Sequence, residues 1–197
     1  MFYGMKVDHP LLNNPEFRRK LSNAIDRKKL LSEVYNDQFE PAERILPPGM
    51  PGVTQDNKPQ VVAAPEDGSK ASSSSASAEE QIEPLSLEIV SGSKSAFAQA
   101  ELSFVRQAWA GLGIDLAIKY ITDWSDFEIY INSDQVQIYR YAWFADMPDP
   151  DSFFYPLFAS NSAANFMGYK DKEVNSLILS ARGKSDPAER AEMYREI

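Results

Sequence analysis

The 197-residue sequence contains no cysteine and a single histidine, His9. The first absence excludes disulfides, thiolate nucleophiles and cysteine-ligated metal, and leaves the redox compartment open. The second leaves little room for histidine catalysis, because His9 precedes Pro10 near the start of the chain and reads as a surface residue. Basic charge is scarce: 20 Lys and Arg stand against 29 Asp and Glu, a net charge of −9. Nucleic acid is therefore not an expected partner, since phosphate binding needs a basic face, and an anionic membrane surface would repel the chain. There is no glycine-rich phosphate loop and no Gly-x-Ser-x-Gly elbow. No apolar run is long enough for a signal or a membrane span, the start reading Met1-Phe2-Tyr3-Gly4-Met5-Lys6. The far end stops inside an apparent helix, Pro187 to Ile197, so a piece excised from a longer chain is expected. No internal repeat is visible.

What is present is globular in character, with 43% hydrophobic and 12% aromatic residues. Phe2 to Val7 suits an edge strand. Asn14 is placed to cap a helix with Pro15 in its first turn, and Phe17, Leu21, Ala24 and Ile25 then recur at helical spacing. A second helix begins near Asp26, with Leu30, Leu31 and Val34 on its apolar side. Arg18, Arg19, Lys20, Arg27, Lys28 and Lys29 concentrate the basic charge, as a solvated face or a docking patch. Ile45 to Pro59 reads as an extended, ordered loop, and the Ser-rich stretch at 65–83 as a flexible one, because it carries too little apolar surface to offset its ordering entropy.

After Pro84 the pattern alternates. Leu85, Leu87 and Ile89 mark a strand; Ala98, Leu102, Val105, Trp109 and Leu112 mark one face of a helix; Ile114, Leu116 and Ile118 mark another strand. Strand, long helix and strand imply a parallel pair. Gly111 or Gly113 supplies the helix stop. Trp124 to Ile131 reads as a short helix. Gln135 to Ala142 reads as a strand with Val136 and Ile138 on one face and Tyr139 and Tyr141 on the other. A short helix over Ser152–Phe158, a helix with Val174, Leu177 and Ile178 inward, and a last helix capped by Ser185 or Asp186 complete an α/β chain with a small mixed sheet and flanking helices.

The chemistry concentrates in Tyr141-Ala142-Trp143-Phe144-Ala145-Asp146-Met147-Pro148-Asp149-Pro150-Asp151-Ser152-Phe153-Phe154. A strand end delivering carboxylates among aromatic rings suits a cationic or amine-bearing ligand: rings supply apolar burial, and a carboxylate supplies a directed charge. Asp149 and Asp151 read better as turn and capping residues beside their prolines. Asp146 stands where no helix yet needs a cap, and reads as the ligand carboxylate. The alternative is a carboxylate-based enzyme domain, with Asp146, Asp149 and Asp151 holding a hard cation or serving as acid and base on a glycoside.

Trp143-Phe144-Ala145-Asp146 followed by Asp149-Pro150-Asp151-Ser152-Phe153 resembles the signature of the extracellular solute-binding proteins of family 5, the peptide-binding receptors of ATP-driven importers. Ala24-Ile25-Asp26-Arg27, Leu46-Pro47-Pro48-Gly49-Met50-Pro51-Gly52, Gly111-Leu112-Gly113-Ile114-Asp115 and Asp186-Pro187-Ala188-Glu189-Arg190 are similar to further motifs of that family, in the same order. The resemblance implies that residues 1–197 form a single ligand-binding lobe of a type II periplasmic binding protein-like fold, within a two-lobed receptor that closes by hinge motion. It implies a substrate-binding component of an ABC importer for oligopeptides or dipeptides, though the same signature occurs in receptors for nickel chelates and sugars. No catalysis and no cofactor are implied. The implied partners are the small-molecule ligand and the ABC permease, and the implied location is periplasmic or lipid-anchored outside the cytoplasmic membrane. The family's Trp-x-x-Asp aspartate, which pairs with the ligand's N-terminal ammonium, maps onto Trp143 and Asp146, with Phe144 between them. Asn161, Asn165 and Tyr169 fall where the family lines its pocket. The amphipathic helix usual near 65–83 has no counterpart in the leucine pattern.

Limited proteolysis should nick first between Pro65 and Glu83. Preferential cleavage between Ser93 and Leu112, mapped by mass spectrometry, would contradict this division into loop and core.

Overall fold

A computed structural model describes residues 1–42, 44–51 and 85–197. The Ser-rich stretch at 65–83 and the 52–59 part of the Ile45–Pro59 loop lie outside the described residues. In order, the elements are β1 (Phe2–Met5), α1 (Pro15–Asn23), α2 (Arg27–Tyr35), β2 (Leu85–Ser91), α3 (Ala96–Ala110), β3 (Ile114–Tyr120), α4 (Trp124–Ile131), β4 (Ile138–Tyr141), α5 (Asp151–Phe158), α6 (Lys172–Arg182) and α7 (Pro187–Glu196). One mixed sheet has the order β1-β4-β2-β3. β2 runs parallel to both β3 and β4, and β1 closes one edge antiparallel to β4.

The helices start where short polar side chains satisfy free backbone N–H groups. Asn14 accepts from the N–H of Glu16, Asp26 from Lys29, Ser95 from Ala98, Asp123 from Asp126, and Asp186 from Ala188 and Glu189. Gly113, with φ of +77°, turns the chain from α3 into β3, a conformation costly for any residue with a Cβ.

Among the described residues, three clusters of buried side chains result. On one face of the sheet, α3 lays Leu102, Val105 and Trp109 against Leu87, Ile89, Leu116 and Ile138, and α1 adds Leu21. The indole N–H of Trp109 donates to the carbonyl of Leu21 at 2.9 Å, joining the two helices through a buried bond. On the other face Val90, Tyr139 and Tyr141 meet Phe127 and Ile131 of α4. Gly4 is required there, because a Cβ at this position would overlap the ring of Tyr139, its cross-strand partner. The third cluster lies beyond the sheet: Leu46, Phe153, Phe154, Ala159, Ile178, Ala181 and Tyr194 hold α5, α6 and α7 together. α2 contributes no fully buried residue; Leu30, Leu31 and Val34 are half-buried.

Two expectations shift. β4 spans Ile138–Tyr141 rather than 135–142, because the chain before it bonds irregularly: the Gln137 side chain accepts from the N–H of Glu88, and its carbonyl accepts from Lys6. Val136 consequently packs with Tyr139 and Tyr141, not on the face of Ile138. Glu101, a polar break in the apolar face of α3, is buried at 4% exposure. It accepts from Arg140 Nε at 2.9 Å and Nη2 at 2.8 Å, and from the hydroxyls of Tyr3 and Tyr35, each at 2.5 Å.

Burial is the foremost cause that pushes the phenols of Tyr3, Tyr35, Tyr139, Tyr141 and Tyr194 above their ordinary value of 10.0, and Glu101 adds to it at Tyr3 and Tyr35. The folded state thus keeps protons that the unfolded chain releases as pH passes 10. The contribution is complete below that pH and is lost as the pH climbs toward the raised values. In an alkaline titration the phenolate absorbance of these buried tyrosines should therefore rise together with the loss of far-ultraviolet ellipticity. Smooth ionisation near the ordinary phenol value with ellipticity intact would contradict it.

Candidate functional site

The three parallel strands β2, β3 and β4 end on the same side of the sheet, where ligands bind in open α/β folds. Three connections leave from that edge: 92–95 into α3, 121–123 into α4, and 142–150 into α5. The last is the acidic aromatic loop.

Its two ends are clamped. The indole N–H of Trp143 donates to the carbonyl of Ser152 at 2.6 Å, closing the loop on the first turn of α5. The half-buried Trp143 ring packs against two of the three buried clusters and so joins the sheet to the α5–α7 unit. Asp149 receives Arg190 of α7 on both oxygens, at 2.8 and 2.9 Å, and accepts the N–H of Asp151 at 2.9 Å. Asp151 pairs with Arg182 of α6 at 3.5 Å and accepts from the Tyr194 hydroxyl at 3.3 Å. Arg182 in turn lies 3.5 Å over the ring of Tyr155. Asp149 and Asp151 are thus structural, as their place beside prolines suggested, although the helix cap position itself falls to Pro150. Among the described residues no group of three or more acidic or histidine side chains is arranged to hold a metal.

Asp146 is different. It is exposed at the crown of the loop, with no hydrogen-bond or ion-pair partner among the described residues. Phe144 beside it is 84% exposed. Below the loop, Tyr141 is the hub of a ring cluster, with centroid distances of 5.7 Å to Trp124, 6.0 Å to Phe2, 5.9 Å to Phe166 and 6.5 Å to Trp143. Trp124, which opens α4 at the end of β3 and is 56% exposed, was not singled out by the motifs. Its signal was positional: an aromatic directly after a capping Asp, beyond a strand end. The arrangement can wrap an amine or an apolar group in rings and supply one unneutralised carboxylate.

The remaining candidates lie apart from that loop or serve it indirectly. Asn165 staples its own loop, donating to the carbonyls of Ala159 and Tyr169 and accepting the N–H of Tyr169 at 3.1 Å. Tyr169 meets Phe158 edge-on at 5.7 Å and lines a groove of about 360 Å³ along β1 with Tyr3, Met5, Arg18 and Met167, a groove that no residue of the 142–150 loop lines. Asn161 is exposed in a turn.

The chain is similar to known proteins in sequence and in fold. Residues 1–165 match the family described as bacterial extracellular solute-binding proteins, family 5 Middle. The chain is 25% identical over 211 residues to the oligopeptide-binding protein OppA of Bacillus subtilis, which covers 99% of this chain and 36% of that protein. It is 25% identical over 206 residues to heme-binding protein A of Haemophilus influenzae, with 99% and 36% covered. Its fold superposes with a TM-score of 0.78, at 19% identity, on the ABC transporter-associated periplasmic binding protein DppA of Helicobacter pylori in complex with the peptide STSA, covering 99% of this chain and 38% of that one. The chain thus spans a little over a third of the length of these relatives, which are binding proteins by name.

The clamp on the acidic loop is testable by a double-mutant cycle. Asp149→Asn and Arg190→Gln, separately and together, should reveal a coupling of about 1 kcal/mol in urea denaturation, at the upper end for partly exposed pairs because the contact is two-pronged. Strictly additive effects would show that the pair does not hold the loop.

Proposed function

The chain belongs to the bacterial extracellular solute-binding proteins, family 5, and from that premise we propose that it is one lobe of a two-lobed receptor that captures peptides outside the cytoplasmic membrane and hands them to an ABC permease. Asp146 carries the reading: a carboxylate without a partner among the described residues, in a loop whose other two carboxylates are paired with arginines. Peptide recognition by relatives such as OppA and the H. pylori DppA supports the choice of ligand class. Closure against a second lobe encloses the N-terminal ammonium of the peptide, strips its water and makes a charged partner necessary. Trp143, Phe144 and the neighbouring Trp124 and Tyr141 keep the enclosed pair dry, and Trp143 also fixes the loop that presents Asp146. Asn165 and Tyr169 shape the adjoining loop, and Asn161 stands free to meet the ligand or the opposing lobe. The basic face of α1 and α2, with Arg19, Lys20 and Lys28 exposed, offers the permease a docking surface of opposite sign to the rest of this acidic chain.

An enclosed charge left without its partner costs roughly 2–5 kcal/mol. Asp146→Asn keeps the shape and removes the charge. In the two-lobed receptor it should weaken a free-amine peptide at least about tenfold, or about 1.4 kcal/mol, while leaving the melting temperature of the unliganded protein nearly unchanged. Acetylating the peptide should cost wild type a similar factor and the variant much less, because one interaction cannot be lost twice. Equal acetylation penalties in calorimetry would remove Asp146 from this role.

A further inference from the structure

A second group of rings stands at the same edge of the sheet, on the side of α3 rather than α4. Ser91, the last residue of β2, lies beside Arg140 of β4 in the sheet register. α3 then opens with Phe97 in its first turn. Tyr35, the last residue of α2, stacks on Phe97 with centroids 5.9 Å apart and planes 4° apart, and meets the edge of Phe39 at 5.5 Å. Phe39 and Phe97 are 60% and 55% exposed. Side chains of this size are normally buried, and a contiguous apolar group held open at the ligand edge of a sheet marks a binding surface.

The rings are also fixed in place. Phe97 and Glu101 are one turn apart on the same stripe of α3, and Tyr35 touches both, its ring on Phe97 and its hydroxyl on Glu101. Glu101 is itself held by Arg140 of β4 and Tyr3 of β1. The polar tip of Tyr35 is therefore spent inside while its ring serves the surface. A face ordered in advance loses little freedom when a ligand stacks on it. With the hydroxyl engaged, what the three rings present is apolar surface and π faces, suited to an apolar or aromatic group and not to a carboxylate.

We propose that Tyr35, Phe39 and Phe97 form a second contact site on the ligand, separate from Asp146, that takes an apolar or aromatic side chain of a bound peptide. This rests on the peptide reading above. The two sites flank the ends of neighbouring strands, β4 for Asp146 and β2 for the rings, so one extended ligand lying across the sheet edge meets both.

The test has two arms in the two-lobed receptor. Calorimetry compares tetra-alanine with its three variants carrying phenylalanine at position two, three or four. Wild type should prefer one phenylalanine variant at least about tenfold. Phe97→Ala and Phe39→Ala should each reduce that preference at least about threefold, while the unliganded variants melt near the wild-type temperature. Saturation-transfer NMR with N-acetylphenylalanine amide, which has no ammonium, reads the rings without Asp146 and should lose its signal in Phe97→Ala. A phenylalanine preference that survives both substitutions, or tetrapeptides bound with no preference and no amide signal, overturns the ring site while the peptide reading stands. Amide binding abolished by Phe97→Ala, with no tetrapeptide bound by wild type, overturns the peptide reading and leaves the rings as an aromatic-ligand site. No signal in either arm overturns both.

Discussion

A carboxylate at 4% exposure cannot stand alone, and the answer to that problem organises the sheet side of the structure. Glu101 reaches inward from α3 and collects two N–H groups of Arg140 and the hydroxyls of Tyr3 and Tyr35. Four elements, β1, β4, α2 and α3, meet at that one group. Each donor satisfies a charge whose desolvation would otherwise disfavour burial, and removal of any one strands the rest. The network also fixes register. Tyr3 lies opposite Arg140 where β1 pairs with β4. A slip of one residue would send Tyr3 to the far face and force Gly4 out of the space under the Tyr139 ring. An edge strand of only four residues is thereby held in a single alignment.

The site loop is held by a different logic. Its beginning belongs to the sheet, and its end belongs to the cluster of α5, α6 and α7. Trp143 spans the two with its ring and closes the loop with its N–H. Asp149 and Asp151 draw arginines from two further helices, so a stretch punctuated by two prolines gains a fixed course without a regular backbone ladder. Three aspartates within six residues thus differ by partner: two are ion-paired with arginines and positional, and the third, Asp146, is exposed with no partner among the described residues.

Much of this was readable in the sequence because it is local. The caps Asn14, Asp26 and Asp186, the α3 stripe from Ala98 to Trp109, the boundaries of α4 and the parallel pairing of β2 with β3 all follow from spacings of a few residues. The family motifs were equally plain. The partners of Glu101 were not, since Tyr3 is 98 residues away and Arg140 is 39 away, and periodicity carries no information over such distances. The same holds for Asp149 and Arg190, separated by 41 residues. Val136 misled for a related reason: alternation assumes a regular strand, and the ladder around Gln137 is irregular.

The placement of the three tryptophans has an optical consequence. Trp109 is fully enclosed in the main core, with its N–H on the Leu21 carbonyl. Trp124 and Trp143 flank Tyr141 where the acidic loop leaves the sheet, one largely in water and one half covered. The core indole is insulated from solvent changes, whereas the two outer indoles meet water beside the acidic loop. The intrinsic emission of the chain therefore separates by quencher access into a blue-shifted inner component that reports the core and a red-shifted outer component that reports the surroundings of the acidic loop, with no label attached.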